Sequence, residues 1–512
     1  MKGNEPEISS QLPAHVIQRN LKISDWILFA VGVVLLAGGM MFLGPVKLAF
    51  VMIFLVLVCI AFFSPKYGLY ILFGAETAYV LVIYINLMAI APSMIGLDYT
   101  ISYVIDDRGL LVVPLVVLFV SYLMGFLSRE WICVKQRPIT KFEGVLIAFL
   151  LFAVAWVSLA IANENFPLII VSDLHVVMIF AFGIFAARSF NSVLEFRTLF
   201  NFLIVISLLQ WIFLIGFFFQ QHLYTQLLFL MTLLRSIQGS SDIYSPYIPL
   251  MLAIISIKYP QKKSGLEKHY PLLIFLFTIR TILSLSRGAM LQVMIGVIVL
   301  YFFLPKENRV VYFQQIKKQM VYAVIFCLAM FMVNPNMAKI GFMLVASRTT
   351  EGERNVNNSV ARGSMKYRAL ETDMVMENVI ESPLFGFGPG KQTKKRMFTY
   401  VSAAEEPYVH NGYLWYILKF GILGLLFLFY VMLRYLVSFK ERIRGSPPLM
   451  KAMLAGTSAA FIGIIPIVLT NSVIAAVQGV IFVGFIFGVL IFSELANPTA
   501  ELNDGEIKIA NS

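Results

Sequence analysis

The chain is poor in charge. Only 13% of its 512 residues are Asp, Glu, Lys or Arg, against 59% hydrophobic, and its mean hydropathy is +0.82. No soluble domain needs that much apolar surface. Acids are the scarcer sign: 28 Asp and Glu face 40 Lys and Arg, a net charge of +12. No Asp-x-Asp pair occurs, and no His/Asp/Glu cluster has metal-ligand spacing. A Gly-rich loop of nucleotide-binding form is missing as well, which argues against a metal-dependent transferase of nucleotide sugars. Cysteine is almost absent. Cys59 and Cys327 fall in apolar runs and Cys133 in a basic loop, so neither a disulfide framework nor a thiolate metal site is implied. The positive balance does not indicate nucleic acid, because in a chain this apolar Lys and Arg belong to cytoplasmic loops.

What the chain has instead is a recurrence of uncharged runs near membrane-spanning length. Hydropathy and loop charge predict an all-α polytopic membrane protein of about fourteen spans. They are Trp26–Leu43, Val46–Phe63, Gly68–Ala91, Leu110–Leu127, Gly144–Ala162, Leu174–Ala187, Leu199–Phe219, Tyr247–Ile257, Leu272–Leu285, Ala289–Leu304, Met320–Val333, Tyr413–Tyr430, Ala452–Leu469 and Val473–Phe492. The expected organisation is a polar tail over 1–23 and helices 1–11 over 24–333. A large polar loop over 334–410, the last three helices over 411–493 and a tail over 494–512 follow. The first tail has no signal-peptide cleavage pattern, so the first span is expected to be retained.

Alternate loops sort by charge. One set carries Arg129, Lys135, Arg137 and Lys141; Arg188 and Arg197; Lys258, Lys262, Lys263 and Lys268; Lys306, Arg309, Lys317 and Lys318; and Lys440, Arg442, Arg444 and Lys451. The positive-inside rule puts this set, and both termini, in the cytoplasm. The 334–410 loop is then outside, since its polar backbone has no partners in lipid.

Six basic or titratable positions on that outer side bear on chemistry. Arg287, in Ser286-Arg287-Gly288, lies about 24 Å of helix past Pro271, near the outer boundary of the lipid. Two readings are open: a guanidinium fork for phosphate, or a side chain snorkelling to headgroups. Arg280, two turns deeper, needs an acid, and Glu76 is the acid expected to pair with it. Direct substrate contact is the alternative for Arg280. Arg235 sits in an outer turn rich in Gly and Ser, either as an anchor or as a ligand-facing residue. Ser364–Glu381 predicts an imperfect amphipathic helix carrying Arg368, with Arg362 just before it; both can be solvated. The run from Pro383 to Gly390 reads as a rigid turn with flexible glycines, not as a phosphate cradle. His410 precedes Asn411, a candidate helix cap. It is either a polar interfacial residue or a group that orients or deprotonates a hydroxyl.

In order and spacing, Ser286-Arg287-Gly288, the loop arginines followed by Pro383-Leu-Phe-Gly-Phe-Gly388, and His410-Asn-Gly-Tyr-Leu414 with Gly421-Ile-Leu-Gly424 resemble the O-antigen ligase/polymerase superfamily over roughly Ile274–Phe429. The resemblance implies a GT-C-like bundle in the bacterial cytoplasmic (inner) membrane. It implies glycosyl transfer from an undecaprenyl-diphosphate-linked glycan to a glycan or lipid A–core acceptor, with no nucleotide and no metal. It gives Arg287, Arg368 and His410 catalytic roles, with Arg362 in reserve for Arg368 and Arg235 where members often carry an arginine; Arg235, Arg362, Arg280 and Lys419 are the candidates for substrate contact. Membrane lipids and other polysaccharide-assembly membrane proteins are the remaining partners it implies. Two departures stand out: Lys419 occupies a position where the family often has an acid, and Thr372 one where it usually has an aromatic. A transporter or flippase is the rival from another class, but no internal repeat supports it.

Overall fold

The computed structural model describes residues 55–64, 66–74, 117–127, 138–220, 245–259, 265–283, 287–333, 359–394, 405–406, 409, 411–469 and 477–496. They are almost entirely helical; the strand pairing among them is a two-residue antiparallel ladder, Thr393–Lys394 with Glu405–Glu406. After helical stretches at 55–63, 66–74 and 117–127 come α1 (Lys141–Ala155), α2 (Val157–Ala162), α3 (Pro167–Met178), α4 (Phe182–Ser189) and α5 (Val193–Gln220). Then follow α6 (Tyr247–Ser256), α7 (Tyr270–Leu283), α8 (Arg287–Phe303), α9 (Lys306–Val333) and α10 (Ser359–Glu381). The chain closes with α11 (Gly412–Arg442), α12 (Pro448–Ile464) and α13 (Val477–Leu495).

Among the described residues four stretches are long and apolar enough to cross a membrane: Lys141–Ala162, Ile169–Ser189, Gly412–Arg442 and Pro448–Leu469. Shorter apolar helices are Val117–Leu127, Tyr247–Ser256, Gly288–Phe303 and Val480–Leu495. The predicted span Trp26–Leu43 lies outside the described residues.

Association here rests on close packing, because lipid tails are as apolar as leucine and offer no hydrophobic gain between helices. Small residues at the contacts do that work. Gly484 and Gly488 on α13 face Gly183 on α4, where an added Cβ would come within 2.7 Å of the Gly484 carbonyl oxygen. α12 presents Ala452, Ala455, Ala459 and Ala460, all buried, between α6 and α8. The rim is the reverse. Met320, Val324, Leu328 and Met332 of α9 are exposed, as are Leu151 and Val154 of α1.

The basic loops meet at one end of the bundle. Thr140 caps α1 in a reciprocal box with Glu143, and Glu143 also accepts from Arg188 Nη2 at 3.0 Å. Arg197 reaches Glu267 at 3.2 Å. Tyr259 donates to the same carboxylate at 2.6 Å; burial and then that carboxylate push its phenol up, so it remains a donor at neutral pH. Glu494 accepts from the Phe142 N–H at 3.2 Å, and its carbonyl accepts from Arg442 at 3.3 Å. Four of the five basic loops are thereby tied to a common end.

Candidate functional site

The opposite end is built around a break in α11. At Gly421 the helix leaves helical geometry (φ 68, ψ −174). The two rungs that fail there would have run from Ile422 N–H to the Leu418 carbonyl and from Leu423 N–H to the Lys419 carbonyl. The Gly-rich run after α10 replaces both. Phe387 N–H donates to the Leu418 carbonyl (3.0 Å) and Gly388 N–H to the Lys419 carbonyl (2.8 Å). Ile422 N–H donates to the Pro383 carbonyl (2.9 Å) and Leu423 N–H to the Leu384 carbonyl (3.3 Å). Left unpaired in an apolar setting, four such groups would cost on the order of 4–12 kcal/mol. The break and the loop therefore satisfy each other's backbone groups.

Glycine makes the exchange possible. A Cβ on Gly421 would lie 2.1 Å from the Leu384 carbonyl oxygen, and one on Gly386 (φ 68) would lie 2.5 Å from the Gly421 nitrogen. Both the left-handed backbone and the close approach exclude a side chain.

The α1–α3 corner clamps the other side of the loop. Trp156 Nε1 donates to the Phe385 carbonyl at 2.6 Å. Glu164, with φ 55, forms a tight turn between Asn163 and Asn165. Asn163 Nδ2 reaches the Phe387 carbonyl at 3.1 Å; Asn165 Nδ2 reaches the carbonyls of Phe387 (2.8 Å) and Pro389 (2.9 Å). At the loop's far end lies a buried ion pair. Lys419 Nζ is 2.8 Å from Asp173 Oδ2, with the lysine side chain fully shielded. The same carboxylate oxygen accepts from Gly390 N–H at 2.6 Å, and the ammonium also donates to the Lys391 carbonyl. Lys391 in turn lies over the Phe387 ring, 4.3 Å from its centroid.

The sequence-predicted residues distribute around this unit. Lys419 is inside it. Arg280 is 1% exposed near the end of α7, with Thr281 buried beside it in sequence. Arg287 is the first residue of α8. Arg362 and Arg368 both lie in α10, and position 368 falls on the helical stripe of Glu371, Val375 and Val379, all three buried. His410, Arg235 and Glu76 lie outside the described residues. Asn411 caps α11 as its sequence position predicts, accepting from Tyr413 N–H (3.0 Å) and Leu414 N–H (3.2 Å). Tyr413 then donates to the Ile465 carbonyl at 2.8 Å, and the segment Ile465–Leu469 also packs on α8. That segment brings the helix beginning at Arg287 and the helix beginning just after His410 to one end of the bundle.

Asp173 is the residue sequence reasoning missed. The predicted span starting at Leu174 leaves it in a loop, whereas the helix starts at Pro167 and the candidate span at Ile169. Glu76 is therefore not the one acid set within an apolar run. The available signal was proline at the first helical position, a preferred start, which would have enclosed Asp173.

No curated protein matches the chain. Residues 272–429 match the O-antigen ligase family, whose members carry out glycosyl transfer in polysaccharide assembly. The match takes in α8, α10, the Gly-rich loop and the broken part of α11, but not Asp173. Through that stretch, a little under a third of its length, the chain is similar to the O-antigen ligase family.

Proposed function

We propose that the protein is a membrane glycosyltransferase that moves a glycan from an undecaprenyl-diphosphate carrier to a sugar hydroxyl, in polymerisation of a surface polysaccharide. The reaction takes place at the outer face of the bacterial inner membrane, with the basic end of the bundle in the cytoplasm. Arg287 and Arg368 hold the diphosphate and stabilise the charge that builds as it departs. Fixed cations in a poorly hydrated site do this best. His410 aligns or deprotonates the acceptor hydroxyl, which attacks from the far side and inverts the anomeric centre. The 334–410 loop covers the donor and keeps out water, the competing nucleophile. Arg235, Arg362 and Arg280 serve as further substrate contacts. No metal or nucleotide enters the scheme.

One observation carries the reading. α8, starting at Arg287, and α11, starting one residue beyond Asn411, open at the end away from the basic loops, and α10 with position 368 runs straight into the loop lodged in α11. The family's printed description favours a second reading, in which the finished chain is joined to lipid A–core. A deletion strain separates the two. A polymerase mutant leaves single repeats on the acceptor, and a ligase mutant accumulates full-length chains on the carrier lipid. A deletion strain with an unchanged surface and carrier-linked glycan profile sinks both.

A further inference from the structure

Resting on that reading, we infer that Asp173 and Lys419 are positioning residues for glycosyl transfer. Their buried ion pair latches the Gly-rich loop to α3 and α11, and so sets the place of α10.

The atoms at the pair support a latch rather than a general stabilising contact. Lys419 does not meet Asp173 alone; its ammonium also holds the carbonyl of Lys391, in the loop. Asp173 does not meet Lys419 alone; the oxygen that accepts from the ammonium also accepts from Gly390 N–H, again in the loop. Each partner therefore bonds one residue of the same dipeptide, Gly390-Lys391. The pair sits just beyond the exchange made by Pro383, Leu384, Phe387 and Gly388, and adds a further attachment of the loop at Gly390 and Lys391. α10 enters that loop directly, since Ser382 Oγ donates to the Gly386 carbonyl at 2.8 Å and Gly386 N–H returns to the Ser382 carbonyl at 3.0 Å. A shift of the loop is thus passed to α10 without a flexible joint between them. Misplacement of reacting groups by about 1 Å is enough to cost on the order of 100-fold in rate.

The test uses the full-length protein in detergent and the double variant Asp173→Asn with Lys419→Met. Neutral isosteres in place of a buried pair are tolerated for folding, whereas removing one partner strands the other's charge. The double variant is therefore expected to melt within a few degrees of wild type. The amide introduced at position 173 would still accept from Gly390 N–H, but the bridge from position 419 to Lys391 would be gone. Hydrogen exchange in peptides covering Phe387–Lys391 should speed up about tenfold. With a lipid-linked glycan donor, kcat should fall about tenfold or more while the donor KM moves less than about threefold. A swap of the two charges, Asp173→Lys with Lys419→Asp, should recover neither, because the Gly390 N–H then faces an ammonium. Exchange and kcat both within about twofold of wild type would overturn the inference, as would faster exchange with unchanged kcat. A wild-type protein that turns over no lipid-linked glycan would remove the parent reading, and the positioning role with it, whatever the exchange data show.

Discussion

The two ends of the bundle use charge differently. At the basic end, Glu143 and Glu267 are buried but their arginine partners are each 11% exposed, and the pairs run between neighbouring helix ends. Their effect is to hold helices in register. At the other end the Lys419 side chain is fully shielded, and its pair with Asp173 is tied to backbone groups of a loop that also repairs a helix break. There the charges hold a segment with no regular structure of its own. Loss at the first end should cost stability, and loss at the second should cost activity as well.

Gly421→Ala is the most severe way to press that contrast. A side chain 2.1 Å from the Leu384 carbonyl oxygen forces the loop out of the break. Strain and unpaired backbone groups together should cost about 3 kcal/mol or more, with activity reduced on the order of 100-fold. Thermal unfolding in detergent and donor turnover would read both. Lys419→Met alone comes next. It leaves Asp173 charged and buried, a loss of roughly 3–5 kcal/mol by the usual cost of a broken buried pair. If this variant melts like wild type, the shielded pair is not the anchor described here. Arg188→Gln and Arg197→Gln at the basic end should each cost about 1–3 kcal/mol. Turnover per folded molecule should stay within about twofold of wild type, and a larger fall would erase the distinction between the ends. The smallest effect is expected for Asn165→Ala, about 1 kcal/mol, seen as faster exchange at Phe387–Pro389 with little change in melting.

Much of the scaffold was readable from hydropathy. Predicted spans such as Leu272–Leu285, Ala289–Leu304 and Tyr413–Tyr430 coincide with α7, α8 and the first part of α11. The cap at Asn411 and the end of α10 at Glu381 follow from residue type. The site was less readable, for two physical reasons. Asp173 and His175 lower local hydropathy, so the predicted span starts after the acid and the acid's partner is sought elsewhere. Lys419 stood out as a base where the resembled family often has an acid, but its partner is remote in the chain. The exchange between the Gly-rich loop and Gly421 is made by backbone atoms. The glycines mark where it can occur, and nothing in the side chains states which segment fills the gap.

The central claim is that Arg287, Arg368 and His410 act together on a lipid-linked diphosphate. Turnover of an undecaprenyl-diphosphate-linked glycan by purified Arg287→Ala, Arg368→Ala and His410→Ala proteins at equal levels tests it most directly. The account predicts a fall on the order of 100-fold for each. Wild-type turnover by all three would contradict it.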